Sequence, residues 1–204
     1  YDNAPDGWSA EDFLVKVTVT PPPPPPPPPP TTSITPVAYW KFDETSGTSA
    51  AASSGNGNTG THTNGPTIST TVPTVNFTNP RSLSFDGTDD FVNVPDSSSL
   101  NSLTDKLTVS VWLSGTPASF KYFLAKTGNG INEGYYFNTG STGLSWSIDS
   151  VSQGAKTAAT SHTWVAGQWI HAVGTYDGTN VILYKNGVQV ASTAASGNID
   201  STVG

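Results

Sequence analysis

The sequence contains no cysteine and no methionine, and only 8 of its 204 residues are lysine or arginine. Without cysteine there is no disulfide framework, no thiolate metal site and no cysteine nucleophile. So few basic residues, scattered along the chain, cannot form a phosphate-binding stripe, and a nucleic-acid partner is not expected. Charged residues of both signs reach 11%, too few for a coiled coil or for a chain held open by its own charge. No apolar run approaches the ~18 residues of a membrane-crossing helix, so membrane insertion is not expected. The chain opens on Tyr1 with no signal-peptide pattern and carries a net charge of −7. The expectation is a mature or excised piece of an extracellular or cell-surface protein.

What is present is turn chemistry. The chain has 20 glycines and 17 prolines, with serine and threonine throughout. That mixture predicts many short strands and an all-β class. Ten of the prolines are consecutive, Pro21 to Pro30. Such a run adopts polyproline II at ~3.1 Å per residue, a stiff spacer of roughly 30 Å. No basic residue adjoins it, which argues against an SH3- or WW-type ligand. The run divides the chain into a head (1–20), a linker (21–34) and a body (35–204). In the head, Phe13, Val15, Val17 and Val19 alternate with Leu14, Lys16, Thr18 and Thr20. Period two with β-branched residues predicts a half-buried strand. A lone strand is not stable in water, so this one must pair with a sheet elsewhere.

The body shows strand patterns at Val37–Phe42, Ser82–Phe85, Phe91–Val94, Leu107–Leu113, Tyr122–Lys126, Gly134–Asn138, Gly143–Asp149, Trp169–Tyr176, Val181–Tyr184 and Val188–Ala191. Asp86–Asp90 reads as the turn of a hairpin. Asn186-Gly187 is a strong two-residue hairpin signal. No stretch sustains a 3.6-residue period. The pattern predicts an antiparallel two-sheet sandwich, with Trp40, Trp112 and Trp169 in its core and His171 packed or hydrogen-bonded beside them.

Several segments carry a family resemblance. Val37-Ala38-Tyr39-Trp40-Lys41-Phe42-Asp43-Glu44-Thr45-Ser46-Gly47, followed by Ser53-Ser54-Gly55-Asn56-Gly57-Asn58-Thr59-Gly60, resembles the opening of a laminin-G-like, concanavalin A-like jelly-roll domain. Ser84–Val92, Leu107–Trp112, Gly167–Gly178 and Leu183–Gly187 are similar to later segments of that family, in the family's order. The resemblance covers roughly 36–204. It implies a jelly roll of the kind found in secreted and multidomain surface proteins.

The resemblance also implies two further strands after a segment like Ala195–Asp200, and the body ends at Gly204. Residues 1–20, read on from the C-terminus, resemble the missing closing hairpin. Three arrangements follow. The head completes the jelly roll of a neighbouring copy, by strand donation or because copies are fused in one tandem chain, and this head-to-tail contact builds a fibre. It folds back onto its own body. Or it is the last strand of an unrelated upstream domain. The first makes the protein a structural subunit of a secreted fibre whose partners are copies of itself. The alternative function is a lectin-like module that binds surface glycans for adhesion.

Catalysis is not expected. Glycosidase chemistry needs two carboxyl groups facing one cleft, and the resemblance implies a Glu-x-Asp-x-x-Glu strand for enzymes of this fold. Glu11, Glu44 and Glu133 are the only glutamates, and none lies in that pattern. His62, His162 and His171 lack metal-ligand spacing, and no Gly-x-Ser-x-Gly segment occurs. Calcium is the one cofactor expected, because Asp43, Ser54, Asn56 and Asn58 place oxygen donors in a glycine-rich loop. The resemblance implies a structural Ca²⁺ there, with Glu11 or Asp12 of a closing strand adding a carboxylate. Ala52 stands where the family usually has a loop acid. Tyr135, Trp146 and Trp164 are read as in or near loops and are the candidates for stacking on a sugar ring. Asn76-Phe77-Thr78 is a glycosylation sequon at Asn76.

Overall fold

A computed structural model describes residues 35–118, 120–127, 134–140 and 143–200. The chain divides into two units at Ile34, and the described residues all belong to the second, Thr35–Gly204. The head strand Phe13–Val19, Glu11, Asp12 and the proline run lie outside the described residues.

Thirteen strands and one short helix make up the described part. In chain order they are β1 (Ser49–Ala50), β2 (Gly60–Thr63), β3 (Thr67–Ser69), β4 (Ser82–Ser84), β5 (Phe91–Asn93), α1 (Ser98–Asn101), β6 (Leu107–Ser114), β7 (Tyr122–Lys126), β8 (Tyr135–Asn138), β9 (Gly143–Ser150), β10 (Gly154–Ser161), β11 (Trp169–Tyr176), β12 (Asn180–Lys185) and β13 (Val188–Ala194). Every pairing is antiparallel. Two four-stranded sheets, β13-β12-β11-β6 and β10-β9-β8-β7, face one another. Two smaller sheets, β1-β2-β5 and β3-β4, are formed by the strands before α1.

The core lies between the four-stranded sheets. Alternation decides which residues enter it. Ile170, Ala172 and Tyr176 of β11 and Val181 and Leu183 of β12 point inward from one sheet. Phe137, Leu144, Trp146 and Ile148 point inward from the other. Trp146 lies flat against Gly174, where a Cβ would meet its ring carbons at 2.3–2.6 Å. Its indole N–H donates to the Thr175 carbonyl at 3.2 Å. The β12–β13 hairpin turns through Asn186 and Gly187, with φ of 51° and 80°, as a type I′ turn requires.

Several expectations are corrected. Val37–Phe42 is not a strand: Phe42 has φ 57°, which breaks extended backbone, and only Trp40 bridges, to Ala52. Ser82–Phe85 and Phe91–Val94 do not pair across Asp86–Asp90; β4 pairs with β3 and β5 with β2. Among the described residues, none from 35–100 enters the central core cluster. Trp112 is not a core residue. The inward positions of β6 are Leu107, Val109, Val111 and Leu113, so Trp112 faces out, 38% exposed, its ring 4.9 Å from His171. His171 is half-buried on the same outward face and shares a 2.8 Å hydrogen bond between Nε2 and the Ser110 hydroxyl. Burial holds its pKa below the ordinary histidine value.

The edges of the two large sheets differ. β7 has a register shift and ends in Lys126; β13 pairs with β12 across another shift. β10 contains Lys156, and its Thr157 carbonyl accepts from the Thr193 hydroxyl of β13. Bulges and lysines guard edges against stray pairing. β6 has neither. It is uncharged, apolar on its inward side, and regular over all eight pairs with β11, and no strand lies on its other side among the described residues.

Candidate functional site

The face of β7–β10 turned away from the core carries two cross-strand rows. In one, Ala125, Tyr136, Ser147 and Thr157 stand in register. In the next, Tyr122, Asn138, Ser145 and Ala159 do. Tyr122 and Tyr136 meet edge to face at 5.5 Å, and Tyr122 is 48% exposed. Ser147 is 1% exposed although it points away from the core. Small hydroxyl residues stand between larger neighbours and form the floor, while the tyrosines rise beside them. The floor is already organised. The Ser147 and Thr157 hydroxyls are 2.8 Å apart, and Asn138 Oδ1 accepts from Ser145 Oγ and from the Gly140 N–H at 2.9 Å. Neither row carries a charge. Uncharged donors and acceptors beside aromatic faces are the chemistry that recognises neutral sugars.

Two of the stacking candidates read from the sequence are corrected. Trp146 is fully buried on β9, and Tyr135 is buried on β8, its hydroxyl pKa pushed up to about 12 by burial. Both face the core, so neither offers a ring to a ligand. Trp164 is half-buried between β10 and β11. It packs on Phe123 and His162 at 5.3 and 4.5 Å and donates to the Gly143 carbonyl at 3.2 Å. Tyr122 and Tyr136 were missed. The signal was the alternation of β9, whose Leu144, Trp146 and Ile148 are apolar and whose Ser145, Ser147 and Asp149 are polar; the outward tyrosine is the one paired with Ser147. Asn76 is exposed in the β3–β4 loop.

The glycine-rich loop beside β1 is organised around Asn58. Its Oδ1 accepts from the Ser97 hydroxyl at 2.7 Å, and its Nδ2 donates to Ser99 Oγ and the Val37 carbonyl at 3.0 and 3.2 Å. The Trp40 indole donates to its backbone carbonyl at 2.7 Å. Asn56 Nδ2 also donates to the Val37 carbonyl, at 2.8 Å. Asp43 Oδ1 and Ser54 Oγ are buried and have no hydrogen-bond partner. Elsewhere, Asp86, Asp89 and Asp90 bring carboxylate oxygens within 4.8 Å of one another on the surface. The β4–β5 loop's own geometry accounts for two of them: the Thr88 N–H donates to Asp86 and the Asp86 N–H to Asp90.

The sequence profile of the concanavalin A-like lectin/glucanases superfamily matches residues 86–204, more than half of the chain. The chain belongs to this superfamily. Among solved structures, the binding domain of Paraclostridial Mosquitocidal Protein 1 is similar at a TM-score of 0.56 and 19% identity, over 73% of this chain and 39% of that one. The chain thus corresponds to well under half of that domain, and the likeness is one of fold. Domain 4 of AbnA, a GH43 extracellular arabinanase from Geobacillus stearothermophilus solved with arabinotriose, gives a TM-score of 0.46 and 17% identity, over 74% and 73% of the two chains. A search of curated proteins returns no match.

The calcium ligands read from the sequence lie in the loop beside β1, and the donors there fit a cation in part. Asp43 and Ser54 are hard oxygen ligands with unmet bonds, as a cation site requires. Asn56 commits its amide nitrogen, which leaves its oxygen as a third donor. Asn58 does not fit, because Ser97 occupies its side-chain oxygen; it is a structural hub. Bound calcium would fix the loop electrostatically. Glu11 and Asp12, the other expected ligands, lie outside the described residues.

Proposed function

We propose that the body is a lectin-like, carbohydrate-binding module of a larger extracellular protein, and that it takes a neutral glycan on the outward face of β7–β10. The observation that carries this reading is the pair of uncharged rows beside Tyr122 and Tyr136. A sugar ring stacks on the tyrosines beside the exposed Thr157 hydroxyl, while the buried Ser147, Ser145 and Asn138 hold the floor beneath it. The superfamily's lectins, and the binding role of the mosquitocidal-protein domain, support a binding module. The rows hold no carboxylate pair, so the assignment is to binding and not to turnover. Asp43, Ser54 and Asn56 serve as ligands of a structural calcium ion in the loop beside β1, apart from the glycan face.

The test is a screen of the chain against neutral and acidic glycans, followed by calorimetry on Tyr136→Ala and Tyr122→Ala. Each substitution should weaken binding of a neutral glycan roughly two- to tenfold, the worth of one aromatic contact, with the melting temperature little changed. Binding only to acidic glycans, or binding indifferent to both tyrosines, rejects the assignment.

A second reading is that the protein also assembles head to tail as a subunit of a secreted fibre. The observation that favours it is the unguarded β6 edge. Filaments with a one-domain repeat, seen by electron microscopy, would support it, and a monodisperse monomer at high concentration would reject it.

A further inference from the structure

The outer edge of β6 is built to accept a strand. Its eight residues pair with β11 on one side only. Among the described residues, no backbone hydrogen bond reaches its other side. Unpaired N–H and C=O groups along a straight strand form a ready template for another strand. The core gives a second, independent sign. Val109, Val111 and Leu113 face inward but are only half-buried, whereas Ala172 and Ile170, their neighbours on β11 opposite Val111 and Leu113, are almost wholly buried. Leu107 at the start of β6 is buried, but from Val109 to Leu113 burial falls off across one strand spacing, so among the described residues the apolar stripe of the core is only partly covered there. On the outward side the stacked pair His171–Trp112 also ends at this edge, with the Trp112 ring exposed.

We infer that this edge receives the segment Phe13–Val19 from a second copy of the chain. This rests on the head-to-tail reading above and names its acceptor. The occupant must be extended, uninterrupted by proline, and apolar at alternate positions so that it extends the core stripe. Phe13, Val15, Val17 and Val19 give four such positions, matching the four inward positions Leu107, Val109, Val111 and Leu113 of β6. Lys16 and Thr18 then share the outward side with Thr108 and Ser110. Thr20 alone stands between Val19 and the proline run, which begins at Pro21. A run of ten prolines is stiff and makes no tight return turn, which favours delivery to another molecule.

The absence of cysteine makes the test direct. Full-length Thr18→Cys and Thr108→Cys chains, each with one thiol, are refolded together and treated with a short bis-maleimide. The expected product is a covalent Thr18→Cys/Thr108→Cys pair at twice the 21.2 kDa chain mass, with no corresponding pair from either variant alone. Adding Val17→Pro to the Thr18→Cys chain should abolish it, since proline removes a ladder donor, while the body's melting temperature stays unchanged. Oligomers that form without this cross-link would overturn the β6 assignment and leave head-to-tail assembly standing. Monomers without the cross-link would overturn both. In a chain carrying both cysteines, cross-linking confined to the monomer would show that the strand docks on its own body and would overturn the second-copy occupant. None of these outcomes depends on glycan binding.

Discussion

Gly174→Ala tests the packing that orients the whole sandwich. Gly174 lies at the middle of β11, directly under the indole of Trp146, and its backbone is not in the left-handed region. An added methyl is therefore opposed first by the ring, which supplies its three nearest atoms. Its carbon would sit 2.3 Å from Cδ2 and 2.5 Å from Cγ of Trp146, more than 1 Å inside an ordinary carbon–carbon contact of ~3.5–4.0 Å. The ring has little room to retreat, because Phe137 packs on it at 4.7 Å and its N–H is tied to the Thr175 carbonyl. Overpacking of a tight core costs about 1–3 kcal/mol, and loosening the indole hydrogen bond adds about 1 kcal/mol. The gain from a less flexible unfolded chain returns about 0.4–1 kcal/mol. The net expectation is a loss of about 1–4 kcal/mol, read by urea unfolding followed through tryptophan fluorescence. A Trp146→Leu background should reduce the cost of the added methyl, because the smaller side chain leaves room for it. A neutral or stabilising Gly174→Ala, or additive effects in the double variant, would refute the argument.

Three further outcomes follow from the geometry. Asn58→Ala leaves Ser97, Ser99 and the Val37 carbonyl without their partner and should cost about 2–3 kcal/mol in the same unfolding assay, with the loop beside β1 gaining hydrogen exchange. Asp177 accepts from the Thr179 N–H and hydroxyl and from the Asn180 N–H, and these bonds hold its pKa at about 2, below the ordinary 3.8. A depressed carboxylate pKa adds stability above the unfolded value and loses it as pH falls through the folded one; melting temperatures of wild type and Asp177→Asn should differ at neutral pH and converge between about pH 4 and pH 2. Calcium should raise the melting temperature of wild type and not of Asp43→Asn; an equal rise in both would remove Asp43 from the site.

What the sequence made legible was local and periodic. β11 was bounded correctly because apolar residues recur at every second position, and the β12–β13 turn was legible because Asn186-Gly187 fits positive φ. β10 was missed because its core side offers only Ala158 as a buried apolar residue, and its threonines and alanines carry no alternation of hydrophobicity. The Asp86–Asp90 hairpin failed for a different reason. Turn chemistry fixes the turn but not the partners, and both flanking strands found other ones. At the candidate site the error was one of parity. Tyr135 and Tyr136 are adjacent in sequence and opposite in space, so choosing a tyrosine by its proximity to a loop, and not by the face it shares with Ser147, put the wrong ring on the surface. Burial of the Asp43 and Ser54 oxygens without partners was visible only in three dimensions.

The most direct test of the central claim is amide and side-chain chemical-shift mapping of the chain with the neutral glycan it binds most tightly. The account predicts perturbations concentrated at Tyr122, Tyr136, Asn138, Ser145, Ser147 and Thr157. Perturbations confined to the Trp112–His171 face, or to the loop around Asp43 and Asn58, would contradict it.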